Sequence, residues 1–281
     1  MSLVTTRELI KKAQDGQYAV PALNVYNLEM LACAVAAATE EKACVMIQIY
    51  DRQFSGDGLG PQLTRLACSM VQEAAVPMAV TLDHGSSRDN VARALRAGCT
   101  GIMFDGSMLP LDENIRQTQD VVQLCHACGV SVEGELGHVG VAAHGDEAQD
   151  CTPTADAVRF YRETGVDLLA IMVGSAHGIY KKTPKLNIDR IQAVHDQNQI
   201  PVVLHGGSGI PDDQIRLAIQ AGIRKINYAT DINLALLGVM AEQLAGNDYP
   251  NALDLFMQKP MAAAKAFMVN RIRLLGAAGK A

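Results

Sequence analysis

Val80-Thr-Leu-Asp83-His84-Gly85-Ser86-Ser87 is a short apolar run that stops at an acid, an imidazole, a glycine and two hydroxyls. A helix-like segment, Arg88–Ala97, follows directly, so the stretch reads as one strand–helix unit with its chemistry at the strand's carboxyl end. Two later runs repeat the design. Ile171-Met-Val-Gly-Ser-Ala-His177-Gly178 and Pro201-Val-Val-Leu-His205-Gly206-Gly207-Ser208-Gly209 both end in His-Gly. Three histidines at the same end of three strands are the ligand set of a zinc site with one position open. Adjacent residues of an ideal strand face opposite ways, so Asp83 and His84 share a site only where strand gives way to loop. Gly85 makes that turn feasible.

Outward from this unit, apolar runs alternate with helical periodicity along the chain. Strands are expected at Tyr18–Asn24, Cys44–Tyr50, Met78–Asp83, Gly101–Asp105, Ser131–Leu136, Asp167–Val173, Pro201–Leu204 and Lys225–Tyr228. Helices are expected at Leu28–Glu40, Pro61–Glu73, Arg88–Ala97, Asp112–Cys128, Thr154–Thr164, Ile188–Asn198 and Pro211–Ala221. Near-continuous apolar strands need cover on both faces, so this alternation over 281 residues predicts an α/β fold, one (β/α)8 TIM-barrel domain spanning residues 1–281. A doubly wound open sheet would want a glycine fingerprint after the first strand, and Pro21-Ala-Leu-Asn24-Val-Tyr-Asn27 has none. Extra C-terminal helices are expected at Ile232–Leu244 and Met261–Leu275, separated by a polar break at Gly246-Asn-Asp-Tyr-Pro250. The longest patternless segment, Gly137 to Pro153, follows the fifth strand and reads as a lid.

Composition narrows the class of partner. With 49% hydrophobic and 19% charged residues the chain is of ordinary globular type, and a net charge of −6 argues against holding nucleic acid through an overall positive field. No apolar run reaches the length of a membrane span. The first residues carry no basic segment followed by an apolar core, so a cytoplasmic location is expected. Seven scattered cysteines suit a reducing compartment, and Cys125-His-Ala-Cys128, lacking a second ligand pair, reads as buried helix cysteines. The remaining histidines, His126, His138, His144 and His195, fall in helices or the long loop and read as solvated.

A second signal is phosphate. His205-Gly-Gly-Ser208-Gly209 follows the seventh strand, and Asn227-Tyr-Ala229-Thr230-Asp231 closes the eighth. In barrels the loops after these two strands commonly hold a phosphate, with glycines letting backbone N–H groups approach its oxygens. Asp105 and Glu135, at the ends of strands four and five, fit either support for the metal-ligating imidazoles or a second metal position.

Taken together, these motifs resemble the class II, zinc-dependent fructose-bisphosphate and tagatose-bisphosphate aldolases. The likeness runs through Tyr18-Ala-Val-Pro-Ala-Leu-Asn24, Leu82-Asp-His-Gly-Ser-Ser87, Phe104-Asp-Gly-Ser-Met-Leu-Pro110, Val132-Glu-Gly-Glu-Leu-Gly137, Gly174-Ser-Ala-His-Gly178, Leu204-His-Gly-Gly-Ser-Gly209 and Lys225-Ile-Asn-Tyr-Ala-Thr230. It implies a lyase in which His84, His177 and His205 bind catalytic Zn2+ and Asp83 exchanges a proton with the hydroxyl at the bond made or broken. It further implies that Gly178, Gly206, Gly207, Ser208, Asn227 and Thr230 hold the phosphate of dihydroxyacetone phosphate, with Asn24 and Ala229 as additional substrate contacts. A monovalent cation (Na+ or K+) near that phosphate and a homodimeric or homotetrameric assembly are family expectations as well.

The chain departs from the family at three places. The loop that carries the family's second acid in a Gly-Gly-x-Glu-Asp pattern reads Gly140-Val-Ala-Ala-His-Gly-Asp146-Glu147, which makes Glu147 the first choice for that acid and Asp146 the second. A small hydroxyl residue that helps hold the far phosphate of a bisphosphate aligns with Tyr50. A basic residue with the same task, reached from a neighbouring subunit, aligns with Met261. These two substitutions predict an aldehyde partner without a phosphate; the alternative is a fructose or tagatose 1,6-bisphosphate aldolase in which Arg52, Lys259, Lys265 or Arg271 takes over the far phosphate. A non-catalytic partner subunit of such an aldolase is a third reading, opposed by the intact Asp83, His84, His177 and His205. A metal-dependent hydrolase barrel would want a His-x-His pair on strand one, and Asn24-Val-Tyr26 offers none.

Overall fold

The computed structural model describes residues 2–140, 151–247 and 249–281. Eight parallel strands close into a barrel in sequence order: β1 (Val20–Asn24), β2 (Val45–Tyr50), β3 (Met78–Gly85), β4 (Gly101–Phe104), β5 (Ser131–Leu136), β6 (Leu168–Ile171), β7 (Val202–Leu204) and β8 (Ile223–Tyr228). β8 pairs with β1 through Val20↔Lys225 to Leu23↔Tyr228 and so seals the ring. The intervening helices are α2 (Leu28–Glu40), α3 (Gly60–Glu73), α4 (Arg88–Ala97), α5 (Leu111–Ala127), α6 (Thr154–Thr164), α7 (Ile188–His195) and α8 (Asp212–Gln220). The architecture is the (β/α)8 barrel expected, and α2, α4 and α6 have the expected bounds.

One element was not anticipated. α1 (Thr6–Gly16) starts at a capping box in which Thr5 and Glu8 satisfy each other's backbone N–H groups, and it buries Leu9, Ile10 and Ala13. Ser2 and Val4 bond to Met78, the first residue of β3, so α1 lies at the N-terminal end of the barrel, where it packs on β1, β3, β5 and β8. At the other end of the chain, α9 (Thr230–Gly246) and α10 (Leu253–Leu274) form the C-terminal appendage, α10 packing on α2 and α9. α10 begins eight residues before the expected Met261, because it continues through Pro260. Among its described residues, α9 buries only Ile232 and Leu236, while Leu234, Leu237 and Leu244 stay about half exposed (47%, 55% and 54%).

The barrel interior is unusually polar. Alternate residues of a strand share a face, and the inward rows carry Asn24 on β1, Gln48 on β2, Thr81 and Asp83 on β3, Ser131, Glu133 and Glu135 on β5, and Lys225 and Asn227 on β8, all buried. Most barrels fill this space with branched apolar side chains. Here polar side chains share it with apolar ones such as Met103 and Leu168, both in register with Glu133, and the polar column leads up to the C-terminal mouth.

Two sequence readings need correction. Three of the histidines taken as solvated have side-chain partners, and one of them is buried, where polar groups are almost always hydrogen-bonded. His195 is buried with Nδ1 2.8 Å from the Ile200 carbonyl, His126 lies between Arg7 and Asp167, and His138 Nδ1 lies 3.2 Å from Ser107 Oγ. His144 lies outside the described residues. Of the Cys125/Cys128 pair, Cys125 is buried as expected, while Cys128 caps α5 and is exposed; neither is in a disulfide.

Candidate active site at the barrel mouth

Asp83 and His84 reach one site through an irregularity in β3. Leu82 pairs with Ile102 and Gly85 with Phe104, so β3 spends one residue more than β4 between these pairs. His84 takes up the excess in the left-handed region, with φ of 54°. The bulge breaks the alternation that would send one of the two side chains outward. Gly85 has no room for a side chain, since a Cβ there would stand 2.7 Å from Leu82 and 2.9 Å from the Met103 carbonyl.

Asp83 is buried and held by three amides. Asn24 Nδ2 donates to Oδ2 at 2.6 Å, while Gln48 Nε2 and Asn227 Nδ2 donate to Oδ1 at 3.0 and 3.4 Å. These neutral donors fix the carboxylate's orientation.

The ligand atoms of His84, His177 and His205 lie within 4.8 Å of one another, and those of His84, Asp105 and Glu135 do the same. His84 Nδ1 is 2.8 Å from Asp105 Oδ2. His205 is buried with Nε2 2.9 Å from Glu133 Oε1, and Glu133 Oε2 is in turn 2.7 Å from the buried ammonium of Lys225. Its other nitrogen, Nδ1, faces Glu135 Oε2 at 3.1 Å, an ion-pair approach without hydrogen-bond geometry. His177 Nε2, His205 Nδ1 and Glu135 Oε2 therefore have no hydrogen-bond partner. Leaving such atoms unpaired costs about 1–3 kcal/mol each. Three imidazoles with ligand atoms this close, two of them held by neighbouring carboxylates, fit a zinc ion, and the ion would satisfy the orphaned nitrogens.

The electrostatics separate the three rings. Burial opposes charge at His84, but the Asp83 charge and the Asp105 hydrogen bond outweigh it and raise the pKa. For His205 burial is again opposed, this time by Glu133 and Glu135, and the pKa rises to about 10. His177 goes the other way: burial, then the neighbouring His84 and His205, push it well below the ordinary value. Glu133 resists its own burial because Lys225 lies beside it, and its pKa falls to about 2.

Above the three rings lies a cleft lined by Asn24, Asp83, His84, His177, Gly178, Gly206, Ser208, Asn227, Ala229 and Thr230, together with Tyr26, Tyr50 and Arg52. Gly206, with φ of 64°, has its missing Cβ position 2.2 Å from the Ala176 carbonyl, so the β6 and β7 loops touch backbone to backbone there. Tyr180 reinforces the contact, accepting from Ala176 N–H and donating to the Gly206 carbonyl. Gly207 stands behind the wall, its N–H donated to the Asn227 carbonyl and its α-carbon against Ile226. Ser208 Oγ accepts from Asp231 N–H, which ties the β7 loop to the first turn of α9. The N-terminus of a 17-residue helix, with no side-chain cap, thus opens onto the cleft beside Thr230. Such a terminus favours an anion through its free N–H groups and its dipole.

Of the candidate site residues, Glu147 and Asp146 lie outside the described residues; Gly207, His205, Asp105 and Glu135 are not part of the cleft wall. Met261 sits on α10 with its carbonyl accepting from Cys33 Sγ, away from the cleft residues. Gln48, Glu133 and Lys225 were overlooked, and of the four cations the sequence offers for a far phosphate only Arg52 lines the cleft. Glu133 and Lys225 had a visible signal: Ser131-x-Glu133-x-Glu135 and Lys225-x-Asn227 put polar residues at every second position of otherwise apolar strands, which marks an inward row.

Comparison with known proteins agrees with this fold. The family model described as "Fructose-bisphosphate aldolase class-II" matches residues 4–280. Among solved structures, the YdjI aldolase from Escherichia coli K12 superposes with a TM-score of 0.89 at 34% identity, covering 99% of each chain. A Coccidioides immitis protein assigned to the fructose-1,6-biphosphate aldolases gives a TM-score of 0.88 at 26% identity, over 98% of this chain and 97% of the other. Fructose-bisphosphate aldolase from Campylobacter jejuni shares the fold, with a TM-score of 0.85 at 20% identity, over 100% of this chain and 97% of the other.

Proposed function

Since the chain belongs to the class-II fructose-bisphosphate aldolase family and is a lyase of that class, we propose that it is a zinc-dependent aldolase that reversibly cleaves a ketose 1-phosphate into dihydroxyacetone phosphate and an aldehyde without a phosphate. The observation that carries this reading is the convergence of His84, His177 and His205, two of them with orphaned nitrogens, beside an Asp83 locked by three amides.

Zinc, when bound by these three imidazoles, supplies a Lewis acid for the negative charge that develops on the dihydroxyacetone phosphate fragment. Asp83 accepts the proton of the C4 hydroxyl as the C3–C4 bond breaks. The bonding pair stays with C3, and the aldehyde carbonyl forms at C4. An acid from the loop after β5, Glu147 first and Asp146 second, then protonates C3. Asn24, Gln48 and Asn227 keep Asp83 from rotating out of reach. Gly178, Gly206, Ser208, Ala229 and Thr230, with the α9 terminus, hold the phosphate, and an Na+ or K+ beside it belongs to the same reading. Lys225 is spent on Glu133 beneath the site, so a lysine Schiff base has no place in this scheme.

The half-exposed leucines of α9, together with Leu253 at the start of α10 (71% exposed), support a homodimer or homotetramer. Among the described residues no helix is long and apolar enough to cross a membrane. We place the enzyme in the cytoplasm, acting on small sugar phosphates as one catalytic domain.

The test is metal analysis combined with kinetics. One zinc per active site, lost together with activity in His84→Ala, His177→Ala or His205→Ala, is the expected result. Full activity in metal-free protein would remove the mechanism. A higher kcat/KM for a 1,6-bisphosphate than for every matched 1-phosphate would replace the aldehyde assignment with the bisphosphate alternative.

A further inference from the structure

Of the four cations the sequence offers for the far end of the substrate, the cleft keeps Arg52. It sits on the 3-10 turn Asp51–Phe54 that follows β2, and it is the one arginine or lysine among the described residues lining the cleft. Its guanidinium carbon lies 5.0 Å from the Tyr26 ring centroid and 4.8 Å from that of Tyr50. No carboxylate among the described residues forms an ion pair with it, in contrast to Arg7, Arg88, Arg116, Arg159, Arg271 and Arg273.

The turn that carries Arg52 is pinned on both sides. Asp51 accepts from Ser86 Oγ at 2.6 Å and from Asn90 Nδ2 at 2.9 Å, and Gln53 Nε2 donates to the Tyr26 carbonyl at 3.2 Å. The two aromatic contacts add cation–π attraction to a side chain that would otherwise sample many rotamers. Position in the ring gives the direction. β2 is opposite β6 in the closed barrel and three strands from β7, so Arg52 stands across the mouth from the β6 and β7 loops, with Asp83 and His84 on the neighbouring strand β3. A ketose 1-phosphate with its phosphate against those loops extends its far end toward β2.

We infer that Arg52, steadied by Tyr26 and Tyr50, is a specificity-determining residue that recognises a single negative charge, such as a carboxylate, at the far end of the aldehyde fragment. This rests on the aldolase reading above and adds a substrate class to it. A guanidinium presents a planar fork of N–H donors that matches a carboxylate in two parallel hydrogen bonds. A phosphate dianion would need further convergent donors, and the described cleft brings no second cation to this side. A neutral terminus would leave the guanidinium with water.

The test uses the zinc-loaded enzyme and three ketose 1-phosphates of equal length that end in a hydroxymethyl, a carboxylate or a phosphate. Wild type should prefer the carboxylate over the neutral substrate by roughly 10- to 100-fold in kcat/KM, the range of one charge-assisted hydrogen-bonded pair. In Arg52→Met that preference should collapse toward unity, mainly through KM, while Arg52→Lys should keep part of it. Equal losses on all three substrates would assign Arg52 to the shared phosphate and overturn the inference. So would a preference that survives Arg52→Met, a wild type without preference, or a phosphate-ended substrate that is best. If the wild type cleaves none of the three, the aldolase reading itself fails and the inference falls with it, an outcome distinct from cleavage without selectivity.

Discussion

Glu133→Gln probes the charged column beneath the site. In the native protein Glu133 bridges Lys225 at 2.7 Å and His205 Nε2 at 2.9 Å, and all three side chains are almost fully buried. The amide keeps the shape of the carboxylate but removes its charge, which strands the Lys225 ammonium in the barrel interior. Breaking a buried pair in this way costs about 3–5 kcal/mol, against a total stability of about 5–15 kcal/mol for a typical domain. The barrel should therefore still fold but melt at a visibly lower temperature. Zinc affinity should fall as well, because Glu133 selects Nδ1 of His205 as the free nitrogen and orients the ring; loss of such a partner weakens metal binding about 10- to 100-fold. Titration against a chromophoric chelator measures the affinity, and denaturation of metal-free protein isolates the stability term. The double variant Glu133→Gln with Lys225→Met removes the stranded charge, so it should regain most of the stability while the zinc affinity stays low. The reasoning is refuted if Glu133→Gln binds zinc as tightly as wild type, or if the double variant is no more stable than the single one.

The other predictions concern the reacting groups and the loop packing. Asp83→Ala should retain zinc and slow carbon–carbon cleavage by about 10²- to 10⁴-fold, the loss expected of an acid–base group, with proton exchange at dihydroxyacetone phosphate suffering less; equal falls in both rates would reassign the residue. Glu147→Gln should suppress that proton exchange with zinc retained, and an unchanged exchange rate would move the role to Asp146 or out of the loop. Gly206→Ala should cost about 1–3 kcal/mol or more, since the new methyl would meet the Ala176 carbonyl from a backbone with φ of 64°. Thermal denaturation checks it, and a wild-type melting temperature would show that the β6 and β7 loops separate freely.

The sequence by itself determined the barrel and most of the site. Eight apolar runs spaced by amphipathic segments leave few architectures, because a parallel strand buried on both faces needs a helix after it. His84, His177 and His205 were legible for the same reason: each ends a strand, and in this fold strand ends converge. The helix α1 went unread because its capping box, Thr5 to Glu8, precedes no strand–helix rhythm that would draw attention to it. Other facts needed the closed ring. That Asp83 and His84 face one way depends on the extra residue that β3 spends against β4, a register property of two strands that neither shows alone. The same holds for the column Lys225–Glu133–His205, whose members are 72 and 92 residues apart in sequence and meet only inside the barrel. Arg52 is the clearest case. In sequence it is one of four cations near the far-phosphate position; the turn pinned by Ser86 and Asn90, and the rings of Tyr26 and Tyr50, place it on the wall of the cleft. Local patterning fixes elements because it acts over one or two turns of chain, whereas side-chain company in a barrel is set by closure and register, which no local pattern encodes.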